Sequence, residues 1–177
     1  MAYTKDQLQA LVANTAAQFG IDQRIALAQV QAESAWNPNA VSPAGAQGLF
    51  QFMPGTWATW GNGSPFNPDD AAPAYGRYFS HILNMYGWNY GYALAGYNWG
   101  ENRNTLKQGY AAGKDVLSLS LPTETRNYVQ KILSTAGALQ PQAQPDPDFS
   151  DNTQSGLFWP IAIFGALAIT LFLIGDD

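Results

Sequence analysis

The sequence has no cysteine and a single histidine, His81, among its 177 residues. Without cysteine, the chain forms neither disulfide bonds nor thiolate metal sites. One histidine argues against a zinc site built from protein side chains and against a Ser-His catalytic triad. We interpret His81 itself as an ordinary helix residue, because it follows two aromatic residues in a helical pattern.

Positive charge is scarce and does not cluster. The chain has eight Lys and Arg against 13 Asp and Glu, and all eight basic residues lie at or before Lys131. Residues 1–137 carry equal numbers of acidic and basic residues, so the net charge of −5 comes from five later Asp residues. No basic patch is present for a phosphate backbone, and we expect no nucleic-acid partner.

A change in composition after residues 1–137, which have the length of one ordinary domain, predicts the domain boundaries. Residues 138–156 are rich in Pro, Gln and Asp without periodicity, which indicates an extended linker. Residues 157–174 are uncharged and almost wholly apolar, and as a helix they would span about 27 Å, close to the hydrocarbon thickness of a bilayer. We interpret them as a transmembrane helix rather than a buried core helix, because they have no amphipathic face. Residues 175–177 form an acidic tail.

Apolar residues at helical spacing predict that residues 1–137 are mainly α-helical. A first helix is expected over residues 4–19, with Thr4 as its N-cap. A second should begin after Asp22 and end near Ser34 to Trp36, before a proline.

A third helix is predicted from about Pro68 to Tyr86, capped by Asp69 or Asp70. We expect most of the six Trp to be core residues, because their rings bury large apolar areas. The inner face of this helix should consist of Ala72, Tyr75, Phe79, Ile82 and Leu83.

Glu33 does not fit this apolar pattern. It is the only charged residue between Arg24 and Asp69, and it lies in the last turn of the second predicted helix. The negative end of a helix dipole and apolar surroundings both raise the pKa of a carboxyl group, and a proton retained near neutral pH suits a general acid. The pattern alone leaves another interpretation open, in which Glu33 only solvates the helix end or pairs with Arg103 or Arg126.

The residues after Glu33 form a longer pattern. Glu33-Ser34 is followed by Asn37-Pro38, by Ser42-Pro43-Ala44-Gly45 and by Gly48-Leu49-Phe50-Gln51-Phe52-Met53-Pro54-Gly55-Thr56. In order and spacing, these segments resemble the first signatures of the lytic transglycosylase family of the soluble-transglycosylase and goose-type lysozyme kind. Phe50 stands where the family usually has Met, and we expect this to alter packing at the groove floor without loss of chemistry.

Two later segments extend the resemblance. Ala95-Gly96-Tyr97-Asn98 is similar to the third signature of the family, with Gly96 for the usual Ala. Glu124-Thr125-Arg126-Asn127-Tyr128-Val129 is similar to the fourth, which places a tyrosine beside the catalytic carboxylate. The resemblance therefore implies a mainly α, lysozyme-like helical domain with a substrate groove, followed by the linker and the transmembrane helix.

The resemblance also implies cleavage of the bond between N-acetylmuramic acid and N-acetylglucosamine in peptidoglycan, with formation of a 1,6-anhydro sugar and without metal or cofactor. Glu33 would be the catalytic acid and base. We interpret Glu124 as structural. The alternatives are a goose-type lysozyme that hydrolyses the bond, or a virion structural or wall-binding protein without turnover. The residues that would bind substrate are Ser34, Gln51, Met53, Tyr97, Asn98 and Tyr128.

The amino-terminal residues are polar and are followed by no apolar segment of the kind found in secretory signals. Peptidoglycan lies outside the cytoplasmic membrane, so an enzyme without a signal needs another route. We therefore hypothesise a bacteriophage virion protein, held in an internal membrane by residues 157–174 beside other virion membrane or capsid proteins. It would act on the host cell wall during genome entry. The alternative location is the bacterial inner membrane.

Overall fold

The structure, a computed structural model, describes residues 3–138. Within this range the chain is mainly α-helical, as predicted, and its only β-type pairing is two isolated bridges. The elements are α1 (Lys5–Gln18), α2 (Gln23–Ser34), α3 (Pro54–Trp60), α4 (Pro68–Met85), α5 (Tyr90–Trp99), α6 (Asn104–Ala111), a short 3₁₀ helix (Val116–Ser118) and α7 (Thr123–Ala138).

Two predicted helix starts are confirmed. At α1, the Thr4 hydroxyl accepts from the backbone N–H of Gln7 at 3.2 Å, and the side-chain oxygen of Gln7 accepts from the backbone N–H of Thr4 at 2.9 Å. Together these two bonds form a capping box. At α2, Asp22 accepts from the Arg24 amide at 2.9 Å, and the helix ends at Ser34 as expected.

The predicted cap of α4 is wrong. Asn67 caps this helix by accepting from the Asp69 amide at 3.2 Å. The reason is that Pro68 occupies the first helical position, where its missing N–H is not needed, so the cap residue precedes it. Asp70 instead accepts from the Ser64 amide at 2.9 Å and closes the preceding loop.

The core is built around α4, which packs against α1, α3 and α5. Tyr75 lies at its centre, stacked between Phe50 at 4.5 Å and Phe79 at 5.5 Å between ring centroids. Helix α2 packs between α1 and α7, and α5 also contacts α7. The predicted inner face of α4 is confirmed, since all five of its residues are fully buried: Ala72, Tyr75, Phe79, Ile82 and Leu83.

Most Trp residues in the described part of the chain pack in or against the core, as expected, but at its edge more than inside it. Of these, only Trp36 is buried, whereas Trp57, Trp60 and Trp99 are partly buried and Trp88 is 41% exposed. The short helix α3 has no buried residue at all. Its two Trp rings therefore cover the edge of the core.

The loop between α2 and α3, residues 35–53, is held by its own backbone. Gln47 and Phe52 exchange two hydrogen bonds of 2.9 Å, and the Gly48 amide donates to the Ala40 carbonyl at 2.9 Å. Gly48 has φ +77°, and a Cβ atom there would lie 1.9 Å from the Pro65 carbonyl oxygen. Only glycine satisfies both conditions at this position.

No helix within residues 3–138 combines the length and the apolar character that a membrane crossing requires. The predicted linker, transmembrane helix and acidic tail lie outside the described residues. These boundaries stay predictions.

Replacing Gly48 by Ala should lower the free energy of unfolding by at least about 2 kcal/mol, because the new methyl group meets the Pro65 carbonyl in a left-handed backbone conformation. Urea unfolding followed by Trp fluorescence measures this. Gly55→Ala is the matched control, since no atom lies within 4 Å of the added carbon and alanine favours helix α3. Equal stability of the two variants would contradict the requirement for glycine at position 48.

Candidate active site

Helix α2 presents Glu33 at its carboxyl end. The helix stops because the next two residues, Ala35 and Trp36, have left-handed backbone angles, with φ of 50° and 70°. The Glu33 side chain is partly buried and faces a cavity of about 370 Å³. We call this cavity the Glu33 groove, and it is lined by Ala32, Glu33, Ser42, Ala44, Ala46, Gln51, Met53, Tyr97, Asn98, Glu124 and Tyr128.

Tyr128 is the direct partner of Glu33. Its hydroxyl, on α7, donates to Glu33 Oε1 at 2.5 Å across a sequence separation of 95 residues. Burial raises the pKa of Glu33 from its usual 4.5 to about 7, and the Tyr128 hydrogen bond opposes this rise. Near neutral pH the carboxyl group can therefore both give and take a proton.

The tyrosines around Glu33 stay protonated. Burial, followed by the Glu33 charge, raises the pKa of Tyr97 and of Tyr128 well above 10. Both hydroxyls are therefore donors at neutral pH. The Tyr97 hydroxyl donates its proton to the Phe50 carbonyl at 2.8 Å, so a ligand can contact the ring but does not receive this proton.

The interpretation of Glu33 as a helix-end residue paired with an arginine is wrong. Arg103 donates to the Trp99 carbonyl at 2.8 Å, and Arg126 donates to the carbonyls of Leu117 and Leu119. The one ion pair between side chains of residues 3–138 joins Arg24 and Asp22. Among the residues that the structure describes, no cationic side chain pairs with Glu33 where it faces the groove.

Gln51 lies in the loop between α2 and α3 with φ of 52°, a conformation that is uncommon for a residue with a side chain. Its amide nitrogen donates to the Gly48 carbonyl at 2.9 Å and to the Ala40 carbonyl at 3.3 Å. These bonds tie the side chain to the loop and leave its oxygen as an acceptor for a ligand in the groove.

The side chain of Asn98, on α5, is held in place by a residue of α7. Its side-chain oxygen accepts from the hydroxyl of Thr125 at 2.7 Å, and Thr125 is itself buried. The amide nitrogen of Asn98 is therefore left to donate to a ligand. Asn98 and Gln51 together offer the groove one donor and one acceptor.

Phe50 does not line the groove. It is 1% exposed and stacks on Tyr75 in the core. Its backbone carbonyl holds Tyr97, so the replacement of the usual Met acts on the packing behind the groove wall.

The structure brings together Glu33 and five of the six predicted binding residues, whose binding roles stay predictions. Ser34 is the exception, because it is absent from the groove lining and its hydroxyl donates to the Val30 carbonyl at 3.4 Å. Met53 lies on the wall and is 45% exposed.

The groove also contains residues that the sequence interpretation missed. Ser42, Ala44 and Ala46 line it from the loop, where their small side chains leave space. Glu124 is exposed on the groove wall and has no hydrogen-bond partner among the described residues, which differs from the structural role that we expected. The signal was its spacing: four residues before Tyr128 on α7, it shares that residue's helix face.

Comparison with known proteins finds similarity over this same part of the chain. The profile of the family described as Transglycosylase SLT domain matches residues 10–118. The chain is 36% identical over 129 residues to the soluble lytic murein transglycosylase of Salmonella typhimurium, covering 64% of this chain and 20% of that protein. It is 33% identical over 87 residues to the transglycosylase of Enterobacteria phage PRD1, covering 49% of this chain and 32% of that one.

Among solved structures, the 70-kDa soluble lytic transglycosylase from Escherichia coli matches with a TM-score of 0.61 and 30% identity, covering 74% of this chain and 25% of that chain. The chain thus spans about a fifth to a quarter of the length of the bacterial proteins that it matches.

Glu33 should make the stability of the protein fall as pH rises. Its folded-state pKa of about 7 exceeds the usual 4.5, so the folded state holds a proton that the unfolded state loses first. Between about pH 4.5 and about pH 8, wild type should lose about 3 kcal/mol relative to Glu33→Gln, at about 1.4 kcal/mol for each pH unit. Urea unfolding of both proteins across this range measures the difference. Parallel curves would show that burial does not raise the pKa.

Proposed function

The chain belongs to the transglycosylase SLT domain family, and from this premise we propose that it is a lytic transglycosylase that cleaves peptidoglycan. The bond cleaved is the β-1,4 bond between N-acetylmuramic acid and N-acetylglucosamine, and the product carries a 1,6-anhydro ring. The observation that carries this proposal is a partly buried carboxyl group with a pKa of about 7 in an open groove, hydrogen-bonded to a tyrosine.

In the first step, Glu33 acts as a general acid. It gives its proton to the oxygen that links the two sugars, and the bond from that oxygen to C1 of the muramic acid breaks. N-acetylglucosamine leaves with a new hydroxyl group. The raised pKa matters here because an ordinary glutamate has almost no proton to give at neutral pH.

In the second step, the Glu33 carboxylate takes the proton of the muramic 6-hydroxyl, whose oxygen then bonds to C1. This closes the anhydro ring and returns Glu33 to its neutral form, so no water is consumed. The positive charge that develops at C1 between the steps is stabilised by the substrate's own N-acetyl group. Tyr128 supports the carboxylate by donating to Oε1 throughout.

The remaining groove residues bind the glycan. Sugar rings offer polar edges and apolar faces, and the groove offers matching groups: the Gln51 oxygen, the Asn98 amide nitrogen and the Tyr97 ring. Met53 supplies exposed apolar surface on the wall. Ser34 lies outside the groove lining, but its hydroxyl makes only a long 3.4 Å bond to the Val30 carbonyl, which it would exchange for the substrate N-acetyl group.

A hydrolase is the second candidate, because Glu124 gives the same groove a second carboxyl group. Hydrolysis would require Glu124 to activate a water molecule for attack at C1. The two reactions leave different ends on the glycan: a 1,6-anhydro ring after transglycosylation and a reducing sugar after hydrolysis.

Mass spectrometry of muropeptides released from purified peptidoglycan by the full chain should show anhydro-muramic ends. Glu33→Gln should lower their rate of formation about 10²- to 10⁴-fold, because it removes the general acid. Glu101→Gln is the matched control. Glu101 lies outside the groove lining and accepts from Tyr78 at 2.9 Å, a bond that glutamine also accepts, so its products should match wild type.

Each other outcome of this experiment assigns a different function. Reducing ends in place of anhydro ends would identify a hydrolase, and Glu124→Gln would then be the next variant to examine. No product from wild type or from either variant would favour a virion structural or wall-binding protein.

We also propose that the protein acts as part of a bacteriophage particle and opens the host cell wall locally during genome entry. Similarity to the phage PRD1 transglycosylase supports this setting. The apolar residues 157–174 would hold the enzyme at a membrane beside other virion membrane or capsid proteins, and the preceding linker would give it reach.

Purified particles should contain the full chain, and detergent but not high salt should release it from their membrane fraction. Removal of residues 157–174 should make the protein extractable by salt, because the apolar anchor is gone. Quantitative immunoblotting of fractions measures both. Recovery only from envelopes of uninfected bacteria would overturn the virion assignment and favour the bacterial inner membrane.

A further inference from the structure

Gln29 is a fully buried polar residue on α2, which is uncommon for glutamine. Its side-chain oxygen accepts from the Tyr75 hydroxyl at 2.9 Å. Its amide nitrogen makes no hydrogen bond within the part of the chain that the structure describes. A buried donor without a full partner destabilises a fold, so its presence calls for a physical reason.

The position of Gln29 relative to Glu33 indicates that reason. The two residues are four apart on α2 and share a helix face. The hydroxyl of Tyr128 lies against this face and donates to Glu33 Oε1 at 2.5 Å. Burial and the Glu33 charge raise the pKa of Tyr128, whereas the Gln29 side chain lowers it, as a donor near the Tyr128 oxygen does.

We propose that Gln29 is a positioning residue, whose amide nitrogen faces the Tyr128 oxygen and so directs the Tyr128 proton toward Glu33 Oε1. An amide nitrogen only donates, so the tyrosine oxygen beside it acts as acceptor. The single hydroxyl proton of Tyr128 is then left for Glu33. Gln29 thus decides the direction of the bond that Tyr128 makes.

Tyr75 holds the Gln29 amide in this orientation. Its hydroxyl donates to the amide oxygen at 2.9 Å. This fixes which end of the amide is the oxygen and leaves the nitrogen for the side that we assign to Tyr128. The Tyr75 ring is fixed by stacking on Phe50 and Phe79. With the amide reversed, its oxygen would compete with Glu33 for the Tyr128 proton.

This arrangement assigns different tasks to the two oxygens of Glu33, and the assignment rests on the acid–base role proposed above. Oε1 accepts from Tyr128 in both protonation states. The proton of the neutral acid is therefore on Oε2, and the same oxygen takes the proton back in the second step. One atom then serves both steps without rotation of the carboxyl group.

The titration of Glu33 reports on this contact. The titratable groups that face Glu33 are Tyr128 and Glu124 from α7, Tyr97 from α5 and Tyr75 from α4. The three tyrosines have pKa values well above 10 and stay neutral across the range where Glu33 titrates. Gln29→Met and Tyr75→Phe leave Glu124 and its neighbours on α7 unchanged, so a difference between their Glu33 curves and that of wild type comes from the buried contacts.

The test is a ¹³C NMR titration of the Glu33 side-chain carboxyl in the full chain. Gln29→Met keeps a long side chain but removes the amide, so Tyr128 becomes free to accept the proton of neutral Glu33. The pKa of Glu33 should rise by about half to one pH unit. Gln31→Met makes the same change at an exposed position of α2 and should leave the titration as in wild type.

Two further variants separate this contact from a general effect on the core. Tyr75→Phe keeps the stacked ring but frees the amide, so it should raise the pKa in the same direction, and it decides the question if Gln29→Met does not fold. In a Tyr128→Phe background, Gln29→Met should cause no additional rise, because its effect passes through Tyr128. An equal rise in both backgrounds would overturn the proposal.

Activity gives an independent readout. In Gln29→Met, the alkaline limb of the kcat/KM pH profile should move upward with the Glu33 pKa, whereas KM should change little. If the protein releases no products but Gln29→Met still raises the Glu33 pKa only when Tyr128 is present, the proposed function is refuted and the positioning role is retained. Normal products with an unchanged Glu33 titration would refute the positioning role alone.

Discussion

The hydrogen bond from Tyr128 to Glu33 joins the beginning and the end of the folded domain, and the groove depends on it. It can form only where α7 packs on the carboxyl end of α2, so the packing of the helices becomes a condition for the chemistry. The same packing buries Glu33, which raises its pKa, while the tyrosine moderates the rise. Burial alone would hold the proton too tightly, and solvent exposure would release it too easily.

Local rules predicted much of the fold from the sequence. The caps at Thr4 and Asp22 follow from side chains next to apolar patterns. The proline after α2 predicted roughly where this helix ends, but the left-handed angles of Ala35 and Trp36 end it before that proline is reached. The predicted α4 cap was wrong because Asp69 and Asp70, although common cap residues, lie in the first turn, whereas the actual cap, Asn67, precedes the proline. For the Trp residues, aromatic size predicted contact with the core but did not say whether that contact lies inside the core or at its edge.

The groove residues were also predicted only in part. The motif segments identified residues that the structure brings together from α2, α5, α7 and one loop. Their partners were beyond prediction, because Gln29 with Tyr75 and Asn98 with Thr125 meet only through tertiary packing. Small residues such as Ala44 carry little pattern of their own. Their contribution is empty space, which becomes visible only when the opposite wall is known.

The loop over residues 35–53 is ordered by its own backbone and by the Gln51 amide, before any glycan arrives. The conformational entropy of this segment is lost during folding, so binding does not have to lose it again. The width of the groove beside Ala44 and Ala46 is therefore set by the folded loop. A wider ligand could enter there only by breaking the loop's own hydrogen bonds, so the loop acts as a gauge of ligand width.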